Sequence, residues 1–168
     1  TMGCGADNTS ALAFGGQPSD SGAVSALTES WNGTNWTEVN DLNTARDNLT
    51  GFGKSYTASI AAGGGNAPGV TGATESWNGT NWTEVNDLNT ARAFAGRAGA
   101  TNTAALCIGG SITNNESWNG TNWTELGDLN ATKRDIASGG TTTAAIAAGG
   151  GPPTTANTEL WDGTSWTE

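Results

Sequence analysis

The chain has 168 residues, a formal net charge of -10, no histidine and only 6 Lys plus Arg. That length suits one domain or one array of repeats, and a negative field of this size repels phosphate backbones and anionic lipid heads, which excludes nucleic acid and membrane surfaces as natural partners. With 26 glycines and 13% charged residues, the composition disfavours long helices and points to short strands joined by tight turns, an all-β class.

Taken in order, the sequence repeats one unit four times. Each unit opens on a glycine-rich strand a, as in Met2 to Ala6 and Leu49 to Lys54, marked by Gly5, Gly53, Gly99 and Gly139. Strand b follows as a short apolar run, 11–14, 59–62, 105–108 and 145–148, and ends on a glycine doublet: Gly15-Gly16, Gly63-Gly64, Gly109-Gly110 and Gly149-Gly150. Strand c ends at Trp31, Trp77, Trp118 or Trp161, and strand d carries Trp36, Trp82, Trp123 or Trp166. The first tryptophans recur at intervals of 46, 41 and 43 residues. Four strands in such a period are the pattern of a propeller blade, and the units fall at about 1–38, 47–84, 93–125 and 135–168 of a single domain spanning 1–168.

Between strands c and d stands Asn32-Gly33, repeated as Asn78-Gly79, Asn119-Gly120 and Asp162-Gly163. That dipeptide predicts a two-residue type I′ turn, with Trp31 opposite Thr34, Glu29 opposite Trp36, and the two indoles as diagonal neighbours on one face. A sheet with two bare indoles would be sticky, so each pair is expected to pack on a neighbouring sheet, adding about 0.5–1.5 kcal/mol per aromatic pair beyond area burial. The eight tryptophans are therefore assigned a structural role. The same turn accounts for the Asn-Gly-Thr pattern, and no glycan is inferred from it.

The order of apolar run, Gly-Gly, Glu-Ser-Trp, second Trp and Leu-Asn-Thr-Ala-Arg resembles the kelch repeat across all four units. Two departures stand out: Trp replaces the usual kelch Tyr in strand c, and the c–d turn is shorter. The unit is also similar to the Trp-Asn-Gly-Thr-x-Trp arrays encoded by marine bacteriophages. The resemblance implies a kelch-like β-propeller, four blades of four antiparallel strands each made from continuous sequence, located on a virion or outside a cell. Closure would then come from packing between the first and fourth units. Small residues on strands a and b and tryptophans on c and d make each interface a wedge, which favours a four-bladed monomer over an eight-bladed homodimer.

Candidate chemistry is sparse. The absence of histidine removes Ser/His/Asp and Cys/His arrangements and the commonest metal ligand, so an enzyme is not expected. No metal or cofactor site is predicted either. Asp41, Asp87 and Asp128 recur in the d–a connectors, where a calcium ring competes with ordinary turn chemistry, and the turn role is preferred. Glu29, Glu75, Glu116 and Glu159, with Arg46, Arg92 and Arg134, are expected to pair between neighbouring units. Cys4 and Cys107 occupy unmatched repeat positions and read as free core residues.

What differs between units is the b–c loops, which should share one face with the d–a connectors. Gln17, Asp20, Asp41, Asn66, Asp87, Asn114, Asn115, Asp128, Thr154 and Asn157 are the candidate binding residues of that face. No apolar run approaches the roughly 18 residues of a membrane span, and no leader pattern is recognised, so a soluble chain is expected. The sequence therefore predicts a non-catalytic interaction module that contacts a glycan or protein receptor through variable loops. The alternative is a purely structural spacer or assembly block, including half of an eight-bladed homodimer.

Overall fold

A computed structural model describes residues 2–18, 22–66, 69–151 and 153–168. Among them the chain is all-β, with 18 strands in five antiparallel sheets. The first sheet comprises β1 (Met2–Asp7), β2 (Ser10–Gly16), β3 (Ser25–Trp31) and β4 (Trp36–Val39). The second holds β5 (Thr50–Ser55) and β6 (Ala58–Ala62); its b–c loop forms a small ribbon of β7 (Gly65–Asn66) and β8 (Gly69–Val70), before β9 (Thr74–Trp77) and β10 (Trp82–Val85) complete it. The third comprises β11 (Gly96–Thr101), β12 (Ala104–Ile108), β13 (Asn115–Trp118) and β14 (Trp123–Glu125). The fourth comprises β15 (Ala137–Gly140), β16 (Ala145–Ala148), β17 (Thr158–Trp161) and β18 (Trp166–Thr167). Each large sheet is a continuous stretch of chain with its strands in sequential order.

The c–d hairpin departs from the expected turn. Trp31 pairs directly with Trp36, and Glu29 with Glu38. The connection is a four-residue loop, with the Asn32 N–H donating to Asn35 O at 3.4 Å. Asn32 Oδ1 accepts from the N–H groups of Thr34 and Asn35 at 2.9 and 3.0 Å, and only Gly33 adopts positive φ, at 93°. The asparagine side chain thus closes the turn that a type I′ backbone would otherwise have made. Both indoles still share one face, as directly opposed partners with ring centroids 5.3–5.5 Å apart in all four hairpins.

The sheets pack face to face in series. Leu12 and Phe14 of the first sheet, with Leu42 of the following connector, cover Trp77 and Trp82 of the second. Ile60, Ala62 and Leu88 cover Trp118 and Trp123 of the third in the same way, and Leu106, Ile108 and Leu129 cover Trp161 and Trp166 of the fourth. Phe14 meets Trp82 edge-on at 4.9 Å. Hydrogen bonds reinforce the stacking: Trp82 Nε1 donates to Thr28 Oγ1 and Trp123 Nε1 to Thr74 Oγ1, both at 3.1 Å and both reaching the preceding sheet. The first tryptophan of each pair instead donates to its own a–b turn, at the carbonyls of Asn8, Tyr56, Asn102 and Thr142.

Strand a lies next to strand a through the series, β1 beside β5, β5 beside β11 and β11 beside β15. Arg97 of β11 donates to the carbonyls of both Gly3 and Gly51, at 2.8 and 2.6 Å, and so reaches back across two sheets. The expected packing of the first unit against the fourth is not found among the described residues. Trp36 is 48% exposed while Trp82, Trp123 and Trp166 are buried.

Candidate functional site on the loop face

The glycine doublets fix the loop end of each unit. Both members have positive φ in every copy, for example 64° at Gly63 and 110° at Gly64. A Cβ on Gly63 would lie 2.5 Å from the Arg92 carbonyl oxygen, and the N–H of Gly64 donates to that oxygen at 2.8 Å. Gly16 and Gly110 make the same bond to Arg46 and Lys133. The doublet therefore draws the d–a connector onto the b–c loop of its own unit. Further connector bonds from Leu42 to Ala26, Leu88 to Gly72 and Leu129 to Thr113 bring both loop sets to one face.

Much of this face is committed to the framework. The Asp41 and Asp87 carboxylates accept the N–H of Thr28 and Thr74 at 3.0 Å, and Asp128 accepts the Thr113 hydroxyl at 3.2 Å. Each serves its own sheet, and no group of three or more metal-ligating side chains occurs among the described residues.

The repeated acids and cations form buried inter-sheet pairs. Arg46 lies 3.1 Å from Glu75, Arg92 contacts Glu116, and Lys133 lies 3.6 Å from Glu159, with all six side chains buried. Each carboxylate also accepts the backbone and side-chain N–H groups of the preceding connector's asparagine: Asn43 for Glu75, Asn89 for Glu116 and Asn130 for Glu159. Burial pushes the Arg46 guanidinium below its ordinary pKa, against the pull of Glu75. The third cation corrects the sequence assignment. Lys133, not Arg134, occupies the place of Arg46 and Arg92, because it stands three residues after the connector asparagine as they do.

Arg134 is consequently left on the surface. Its Nε lies 3.6 Å from Asp135, and its guanidinium sits over the Phe94 ring at 5.3 Å. Two adjoining hollows, about 270 and 450 Å³, share Arg134 and Gly151, and are lined further by Ser111, Thr132, Asp135 and Thr154. Ser111 holds φ at 69°, a conformation seldom adopted without glycine. The recess lies between the loops of the third and fourth units and joins a cation, the Asp135 carboxylate, hydroxyls and backbone.

The predicted site residues divide accordingly. Thr154 lines the recess, and Gln17 is an exposed loop residue. Asn66 is half-buried in the β7–β8 ribbon. Asn114 donates to Glu125 while its carbonyl accepts from Arg92 and Gly109. The Asn157 carbonyl accepts from Lys133 and Gly149. Asn115 is fully buried in β13, at the position Thr28 and Thr74 hold in their sheets, which removes it from the loop face. Asp20 lies outside the described residues. Arg134, Ser111, Thr132 and Gly151 were not among the expected site residues; aligning the connectors on Asn43, Asn89 and Asn130 exposes Arg134 as the extra cation.

The two cysteines lie in the core. Cys4 Sγ is 2.9 Å from Ser59 Oγ, joining the first two sheets, and burial raises its pKa. Burial pushes the Cys107 thiol up to about 12. No protein-family model and no curated protein matches this sequence.

Proposed function

We propose that the protein is a non-catalytic interaction module whose four sheets act as blades of a kelch-like propeller, displayed on a phage virion or cell surface, and that its loop face contacts a glycan or protein. Support for the propeller comes from serial face-to-face packing with strand a beside strand a, together with the repeat pattern in the sequence. Support for recognition rests on one contrast. Arg46, Arg92 and Lys133 are buried in ion pairs, whereas Arg134, one residue beyond the last of them, stands over an open recess formed by loops that differ between units.

An arginine fork beside hydroxyl and backbone groups suits a ligand rich in hydroxyl or carboxylate oxygen. Binding to arrays of glycans and of surface proteins tests this. The expected result is a ligand whose affinity falls at least about tenfold in Arg134→Ser, the loss of one charge-assisted hydrogen bond, with melting unchanged. Ligands insensitive both to Arg134→Ser and to replacement of the 151–157 loop would contradict it. A structural role for the whole assembly is favoured by a separate observation: the outward faces of the first and fourth sheets expose large apolar side chains, Trp36 on the first and Ile146 and Leu160 on the fourth.

A further inference from the structure

Three interfaces inside the chain define which sheet face fits which. In each, the tryptophan pair of one sheet meets the opposite face of the sheet before it. On that opposite face, Leu12, Ile60 and Leu106 occupy one repeat position, each paired across the strand with a serine, Ser30, Ser76 or Ser117. All three apolar residues are buried by the tryptophans that cover them.

Two faces of the same kind are left bare. The first sheet presents Trp31 and Trp36, the latter 48% exposed with its indole N–H unpartnered among the described residues, and neither joins a buried apolar cluster of those residues. The fourth sheet presents Ile146, the counterpart of Leu12, at 41% exposure. Opposite Ile146 the repeat breaks its own rule, because Leu160 stands where the other units have serine, and it is 54% exposed. Ile146 and Leu160 line a shallow apolar hollow of about 390 Å³ together with Gly139, Gly140, Ala144 and Ala145. Thr158 sits on this face at the position from which Thr28 and Thr74 accept tryptophan N–H groups.

We infer that the bare faces are each other's partners in a second copy of this chain: Trp31 and Trp36 of one protomer seat on Ile146, Leu160 and Thr158 of another, head to tail. The contact is heterologous, so two copies related by a two-fold axis make it twice and close an eight-sheet ring. The inference rests on the propeller reading. The internal interfaces supply the template, a tryptophan pair seated on the Leu12, Ile60 or Leu106 position in all three and a tryptophan-to-threonine hydrogen bond in the first two. The exchange of serine for leucine at 160 enlarges the apolar seat on the one such face that no described residue covers. Trp36 Nε1 would donate to Thr158 Oγ1, as Trp82 does to Thr28. Glu29, exposed and without a connector asparagine or cation among the described residues, leaves this junction short of the ion pair that the internal ones carry. The ring therefore dissociates before its protomers unfold.

Light scattering on the full chain and on two variants tests the inference. The wild-type mass is expected near twice 16.9 kDa. Trp36→Asp and Leu160→Asp each remove one half of the junction and should each halve the mass, with unchanged β-sheet circular dichroism, since both side chains are exposed in the protomer. Mixing the two variants should restore a mixed dimer, because each retains the face the other lacks and one junction reforms. A wild-type chain at the protomer mass at all concentrations up to several hundred micromolar would overturn the inference. So would a dimer lost on only one substitution, which would mean like faces pairing, or a ladder of higher masses, which would mean an open filament. A wild-type dimer that binds no ligand at the loop face would count against recognition at Arg134 and leave the ring standing; a monomer that binds ligand through Arg134 would do the reverse.

Discussion

A buried cation destabilises a fold unless a carboxylate meets it, and Arg46, Arg92 and Lys133 all live under that condition. Removing one partner strands the other, at a cost of about 3–5 kcal/mol. Arg92→Met should therefore lower the melting temperature by on the order of 10 °C, and Arg92→Met combined with Glu116→Gln should recover much of the loss; thermal melts of the cycle check both. Arg134→Met, on the surface, should leave melting nearly unchanged. A second residue-scale effect belongs to Asp162, the one acid at the hairpin position that asparagine fills elsewhere. The N–H groups of Ser165 and Thr164 hold its carboxyl below the ordinary aspartate value of 3.8. A depressed carboxylate contributes stability above its unfolded value and loses it as pH falls through the folded one. Melting of the wild type should thus drop more steeply below pH 3.8 than that of Asp162→Asn; equal slopes would contradict the role of these hydrogen bonds.

At the scale of elements, the glycine doublet is where the chain tolerates least change. Gly63→Ala forces a Cβ against the Arg92 carbonyl at positive φ and should cost about 1–3 kcal/mol, whereas Gly69→Ala meets open space and should be neutral or slightly stabilising. Chemical denaturation of both variants measures the difference. The strands of the four large sheets were legible in the sequence because glycines and tryptophans recur at fixed places in each unit, whereas the β7–β8 ribbon, inside a b–c loop, carries no such mark. The hairpin register was not, because the Asn32 side chain replaces a backbone turn with its own two hydrogen bonds, an outcome that the dipeptide Asn-Gly does not distinguish from type I′. The loop face was legible as a place but not as a set of residues. Asn115 looked like loop and is core, since a strand's burial depends on what packs over it, and Arg134 was masked by the neighbouring lysine that takes the structural position.

The whole molecule is a series whose interior interfaces are alike and whose two outer faces repeat their chemistry without a partner. Wedge-shaped interfaces suggested closure within one chain, yet the repeat reads the same whether the sheet before the first belongs to this chain or to another. Leu160 in place of serine is the sign in the sequence that the outward face of the fourth sheet differs. Cys107, buried with its thiol pKa near 12, should stay inert to thiol reagents in the folded protein, which makes labelling a convenient report of unfolding as opposed to dissociation. The packing scheme is tested most directly by hydrogen exchange at the indole N–H groups, followed by nuclear magnetic resonance across protein concentration. Trp82 and Trp123, bonded to the preceding sheet, should exchange slowly at every concentration, while Trp36 should pass from fast to slow as concentration rises. Fast exchange at Trp82 and Trp123 would contradict the serial packing, and fast exchange at Trp36 throughout would contradict its seat on a second copy.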